Sequence, residues 1–336
     1  MFGFIRSISF TAQLMVPVTG LILFTIAWFF PGNLQPGTVY GNGFFYLPEN
    51  GWLYVLWTGM NGLPLWVQIA PSCLTAILTA TQLVRNDLDN TLMGTRSYAM
   101  AFVFLFLVTS NGHFFLFHPA MLAGLFMVLS YRFLLDLYKD ENEYSLVFAM
   151  SFSWGVAILL YPPILLLFPA ILAGLLLMVT TNWRHWLVCL MGVATPILIA
   201  SVTWFLIGNL DYEIVTFLSW FELRHVFIPA FISREPFITA WLGLILLITV
   251  FGSWKYRNPK IQSRQLFQAN FVLFLSILLM TVLLERTSTE VLWLLVIPVT
   301  YLMTFWALKV EKPWRRDLFF FSLLLFFAFF RIIRLV

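Results

Sequence analysis

The sequence predicts an all-α fold of the polytopic membrane class, with about eleven membrane-spanning helices forming a single domain over residues 1–336. Three observations lead there. Apolar residues make up 61% of the chain and charged residues 10%, with a mean hydropathy of +0.90, more apolar surface than a water-soluble core can hide. The apolar residues gather into runs of roughly the length that crosses a bilayer, separated by short polar turns. The 37 Phe suit lipid contact, and the 14 Trp suit the headgroup level.

Arg6 precedes the first run, about 11–30, which ends at Phe30–Pro31. No small-residue cleavage site lies near its end, so it is expected to remain as a helix. Residues 31–63 are rich in Gly, Pro, Asn and aromatics, too polar and too broken to span, and read as a loop with a short interfacial helix near Trp52–Trp57. A second span, about 64–84, ends at Arg85 and is followed by the polar turn NDLDN at 86–90. Further spans fall at about 97–112, 119–139, 145–160 and 163–181, then 186–207 after the short turn Trp183–Arg184–His185–Trp186. Residues 208–237 form a second substantial loop. Spans at about 238–254, 266–284 and 291–307 precede a last apolar run, 318–336, which is either a span with snorkelling Arg331 and Arg334 or an interfacial helix. Cys73 and Cys189 lie in different apolar segments, which indicates core thiols and no disulfide framework.

The segment 97–184 says nearly the same thing twice. Residues 119–125 read PAMLAGL and residues 169–175 read PAILAGL, each after an aromatic run that follows a Tyr (Tyr98, Tyr144) and before apolar residues that stop at an Arg (Arg132, Arg184). Such self-similarity marks a duplicated helix hairpin, although Leu/Ala/Gly-rich membrane helices also resemble one another by chance. The Pro opens each descending helix, where its missing N–H costs nothing. The pairs Ala123–Gly124 and Ala173–Gly174 are placed to let a neighbouring backbone come close.

Lys and Arg set the orientation. With the N-terminus in the cytoplasm, fourteen of the 19 basic residues face inward, leaving Arg224, Arg234, Arg286, Arg331 and Arg334 outside. Both long loops then lie on the extracytoplasmic side, and the two PA-x-LAGL helices run parallel, unlike the inverted repeats of many transporters. The net charge of +4 is no nucleic-acid signature, since the basic residues occupy short turns between spans. The basic turns KYRNPK and KVEKPWRR suit anionic lipid.

The predicted span interiors hold no Asp, Glu, Lys, Arg or His, which argues against a proton- or ion-driven pump. Gln13, Gln68, Gln268 and Asn270 are the strongest polar groups inside spans and are placed to hydrogen-bond between helices. Ionisable groups gather instead on the outer face. The first loop offers Glu49; the connection NGHFFLFHP offers His113 and His118; the second loop offers Asp211, Glu213, Glu222, Arg224, His225, Arg234 and Glu235; the last outer turn holds Glu285, Arg286 and Glu290. On a helix Glu222 and His225 share a face. Carboxylate, imidazole and guanidinium at a membrane surface suit a phosphate and the removal of a proton from an attacking hydroxyl; equally, they form an ordinary solvated rim. His113 and His118 have no Asp, Glu or Cys companion and make no metal site. No phosphate-cradling Gly-rich loop or nucleophile elbow is present, so no cofactor is expected. On the inner side, Arg132 and Asp136 are one helical turn apart and expected to pair.

The runs PAMLAGLFMVLSYRFLLDLY, FAMSFSWGVAILLYPPILLLFPAILAGLLLMV and NWRHWLVCLMGVATPILIASVTWFLIGN resemble a bacterial family of multi-pass inner-membrane proteins whose domain is of unknown function. Their order also resembles the membrane core of the GT-C glycosyltransferases, through Pro162–Pro163, Trp183–Arg184 and Gly192–Pro196, over about 97–210. That likeness implies a bacterial inner-membrane protein that handles a polyprenyl-phosphate-linked sugar on the extracytoplasmic side. In those enzymes the base is an acid of the first outer loop, most often Asp. Here that loop has no Asp, and only Glu49, in LPENG, carries over as candidate catalytic base. Arg224 and His225 are the corresponding candidates for phosphate contact, with His113, His118, Glu222 and Arg234 around them. Two other classes stay open: a non-catalytic scaffold or partner subunit among envelope or secretion proteins, and passive or lipid transport through a groove of small polar residues.

Overall fold

The computed structural model describes residues 10–29, 64–90, 97–110, 112–115, 117–138, 144–178, 182–222, 261–284 and 290–309, with scattered positions at 243 and between 314 and 325. The first loop, the span expected at 238–254 and most of the final apolar run lie outside the described residues. Among the described residues the regular structure is helical and no strand is present. The helices are α1 (Phe10–Phe29), α2 (Leu65–Asn90), α3 (Ala99–Ser110), α4 (Pro119–Leu137), α5 (Tyr144–Leu160), α6 (Phe168–Met178), α7 (Trp183–Ile207), α8 (Leu210–Ser219), α9 (Ile261–Leu283) and α10 (Glu290–Lys309). Short 3₁₀ turns occupy Gly112–Phe115 and Pro162–Leu167.

Three segments, Pro119–Leu137, Trp183–Ile207 and Arg264–Leu283, are long and apolar enough to cross a membrane. Other apolar helices are shorter, at 10–17 residues: Met15–Ile26, Ala99–Ser110, Tyr144–Leu160, Pro162–Leu177 and Glu290–Phe305. Many hydroxyls within the helices settle on their own backbone one turn back, as Thr109 Oγ1 does on the Leu105 carbonyl at 2.6 Å and Thr300 Oγ1 on that of Val296 at 2.7 Å, while Ser130 Oγ and Ser72 Oγ reach across to the Met150 and Phe114 carbonyls. That keeps polar atoms from needing water.

The helix starts follow local chemistry. His118 is extended, and its Nδ1 accepts from the backbone N–H of Ala120 at 3.1 Å, capping α4, with Pro119 first in the helix. Trp183 to Trp186 are the first turn of α7 and not a preceding connection; the Asn182 backbone N–H donates to His185 Nδ1 at 3.0 Å and fixes that start. Residues 86–90 are likewise no turn. Helix α2 runs through them to Asn90, so a buried carboxylate, Asp87, lies in its last turn, beyond the span expected at about 64–84. The helix continues because its polar groups find distant partners: Asn86 Nδ2 donates to the Val128 carbonyl at 3.3 Å and to Tyr301 Oη at 3.2 Å.

At the centre lies α3, buried along almost its whole length, with α1, α2 and α10 packed on it. Helix α4 joins α2, α5 and α10; α9 joins α6 and α10; α7 lies outermost against α5. Helices α5 and α7 run parallel, because Tyr144 stacks by His185, Ser151 and Phe148 meet Gly192, and Gly155 meets Val193 and Pro196. At these two glycines the backbones of α5 and α7 come close. A Cβ on Gly155 would lie 2.7 Å from the Val193 carbonyl oxygen, and one on Gly192 would lie 2.9 Å from that of Phe148. The Ala-Gly pairs serve differently from expectation: Gly124 receives the Trp293 indole and Gly174 the Leu134 side chain, not a neighbouring backbone. The polar residues inside helices also differ, since Asn270 Nδ2 bonds to Leu266 of its own helix at 3.0 Å and Gln268 is exposed.

Overpacking the α5–α7 contact is therefore costly. Gly192→Leu is expected to lower unfolding stability by about 1–3 kcal/mol in thermal denaturation of the detergent-purified protein. Leu198→Ala, on the exposed face of α7, stays within about 0.5 kcal/mol. Equal effects would contradict the close contact.

Candidate functional site

Contacts sort the helix ends into two groups. One end carries basic residues. Arg132 Nε lies 3.8 Å from Asp136 Oδ2, the expected pair, and its Nη2 lies 3.5 Å from Asp89, which Arg85 also approaches at 3.7 Å. These groups are partly exposed, so the network contributes modestly to stability. Just inside it, Tyr131 stacks on Tyr301 with centroids 6.2 Å apart, above buried Asn86, Asp87 and Asn90. Both cysteines, Cys73 and Cys189, are buried free thiols.

The other end gathers a different set. Tyr161, between α5 and the turn Pro162–Leu167, donates its hydroxyl to Glu290 Oε1 at 3.3 Å. The His118 ring lies edge-on to Tyr161 at 6.0 Å, and the Trp220 ring covers Tyr161 from beyond α8 at 5.3 Å. All four side chains are buried. Glu290 opens α10, where the helix N-terminus favours its negative charge. Burial first, then the Glu290 charge and hydrogen bond, push the Tyr161 phenol well above its ordinary value, so it is protonated and donating at neutral pH. His118 uses Nδ1 as cap acceptor, which puts the proton of the neutral ring on Nε2. The set thus offers a carboxylate, an imidazole N–H and two amphipathic aromatic rings, groups that suit a polar, ring-shaped ligand at the edge of an apolar bundle.

Of the residues singled out in the sequence, His118 stands in this cluster. His113 is in the adjacent turn Gly112–Phe115. Glu222 is exposed, just past Trp220. Glu49, Arg224, His225 and Arg234 lie outside the described residues. Tyr161, Trp220 and Glu290 complete the cluster; Glu290 already stood among the ionisable groups of the last outer turn, while the two aromatics had no signal among so many. Among the described residues no group of three His, Cys, Asp or Glu side chains is close enough to hold a metal ion.

Fold and site together define an all-helical protein with apolar helices of membrane-crossing length and a covered polar cluster at one end. No protein-family model matches the chain, and neither a curated protein nor a solved structure does.

Removing the phenol tests the cluster. Tyr161→Phe leaves a buried carboxylate oxygen without that donor and is expected to cost about 1–3 kcal/mol of unfolding stability. In a double-mutant cycle with Glu290→Gln the coupling exceeds about 0.5 kcal/mol; strict additivity would separate the two side chains energetically.

Proposed function

We propose that this chain is a polytopic protein of the bacterial inner membrane, with its N-terminus in the cytoplasm and about eleven spans, and that it handles a polyprenyl-linked glycan at its extracytoplasmic end. The topology is supported by the apolar helices, by Arg85 and Arg132 grouped at one end, and by the bias of Lys and Arg along the sequence. The observation that carries the ligand class is the cluster of His118, Tyr161 and Glu290 under Trp220 at the opposite end. Aromatic faces stack on sugar rings, a carboxylate accepts from sugar hydroxyls, and an imidazole N–H donates to a hydroxyl or phosphate oxygen. A GT-C-like membrane core is consistent with the same arrangement. Transfer of the sugar requires a base within hydrogen-bond reach of the acceptor hydroxyl, and Glu49 of the first loop is the residue assigned to it. Arg224, His225 and Arg234 of the second loop are assigned to the lipid phosphate.

A second class, the non-catalytic scaffold in envelope assembly or secretion, is favoured by one observation: His118 and Glu290 are both enclosed and already serve as helix cap and phenol acceptor. The two separate in one experiment. Glu49→Gln is expected to abolish the chain's contribution to polyprenyl-linked or envelope glycans, by mass spectrometry of extracted lipids, at unchanged protein level. Unchanged glycans, together with co-purification of fixed membrane partners, would replace the enzyme with the scaffold.

A further inference from the structure

We infer that α8 is a lipid-facing lid, hinged at Gly208 and latched by Trp220, that opens the His118–Tyr161–Glu290 cluster toward the bilayer. The hinge is the junction of α7 and α8. Gly208 has φ 82, in the left-handed region that favours glycine, and a Cβ there would meet nothing within 4 Å, so the turn is held by the backbone bonds of Gly208 and Asn209 to the Phe205 and Trp204 carbonyls and not by side chains packed on Gly208. The lid is inside out. Glu213 is buried, whereas Tyr212, Ile214, Val215 and Leu218 are exposed, Val215 at 66% and Leu218 at 60%, with Asp211 of the first turn the one exposed charge of the helix. In water that distribution is unfavourable; against acyl chains it is the favourable one. The exposed face also continues from α7, whose Phe205, Leu206 and Ile207 are 65–78% exposed at its final turn. Helix α7 is among the helices apolar enough to cross a membrane, so the same lipid covers both faces.

The latch centres on the Trp220 ring, with Phe217 and Phe221 packed against the core beside it. Trp220 is 5% exposed and lies on Tyr161, while the principal neighbour of α8 among the described elements is α7. Withdrawing Trp220 by rotation at Gly208 uncovers Tyr161 on the bilayer side of the bundle. A ligand with an apolar tail and a polar head therefore reaches the cluster laterally, tail in lipid and head under the lid. The identity of that ligand rests on the function proposed above; the hinge and latch do not.

The test uses the full chain with Cys73→Ala and Cys189→Ala, spin-labelled at Val215→Cys and Leu166→Cys, in phosphatidylethanolamine–phosphatidylglycerol vesicles. Pulsed-EPR distances are expected to show one closed population. Trp220→Ala, and separately Gly208→Ala, which retains every side chain of the cluster, move a fraction to a second distance. Polyprenyl phosphate added to the latched protein populates the same second distance. The Val215 label relaxes faster with oxygen than with a water-soluble nickel chelate. A distance unchanged in both variants, or preferential relaxation by the chelate, would overturn the lid. Opening in the variants without any response to polyprenyl phosphate would retain the lid and remove the proposed ligand.

Discussion

The bundle depends on the indole of Trp293 lying in the space left by Gly124. That ring is buried, meets Phe104 of α3 and Phe114 of the following turn edge-on at 5.7 and 5.5 Å, and approaches α4 where a Cβ would lie only 3.1 Å from its nitrogen. One side chain thereby ties α3, α4 and α10 together. Edge-to-face ring pairs add about 0.5–1.5 kcal/mol each beyond area burial. The contact also has a positional consequence: Trp293 is one turn into α10, so seating it brings Glu290, at the first residue of that helix, beside Tyr161.

Around this contact the helices obey the rule for backbone in an apolar surrounding. Their hydroxyls mostly fold back on the preceding turn, and Ser72 and Ser130 bond instead to carbonyls of neighbouring elements. Concentrated side-chain polarity is left to the two ends, and they differ in kind. One end is an open ion-pair network of Arg85, Asp89, Arg132 and Asp136. The other is an enclosed cluster of neutral and aromatic donors around one carboxylate. An asymmetric pair of ends is what a protein needs if one face anchors at anionic headgroups and the other receives a ligand.

Much of this was legible from local pattern. Pro119 after His118 marks the start of α4, and the Arg132–Asp136 spacing marks an ion pair, whereas the close approach at Gly155 and Gly192 went unread. Other features escaped because their causes are not local. Asn86, Asp87 and Asn90 look like a polar turn after Arg85; they remain helical because the partners of Asn86 are Val128 and Tyr301, on helices far along the chain. Glycine next to alanine signals a gap but not its occupant, and Trp293 takes the place expected for a backbone. Tyr161 and Trp220 are ordinary members of an aromatic-rich sequence until tertiary packing sets them against each other. The parallel order of α5 and α7 depends equally on contacts that no single segment announces.

The proposed function requires the two ends to lie on opposite sides of a bilayer. Impermeant-maleimide labelling of single cysteines in spheroplasts, with Cys73 and Cys189 replaced by Ala, measures this. Glu222→Cys, exposed beside the covered cluster, is predicted to react in intact spheroplasts, and Arg85→Cys, exposed at the other end, only after lysis. Labelling of both positions from the same side, or of Arg85→Cys alone in intact spheroplasts, would contradict it.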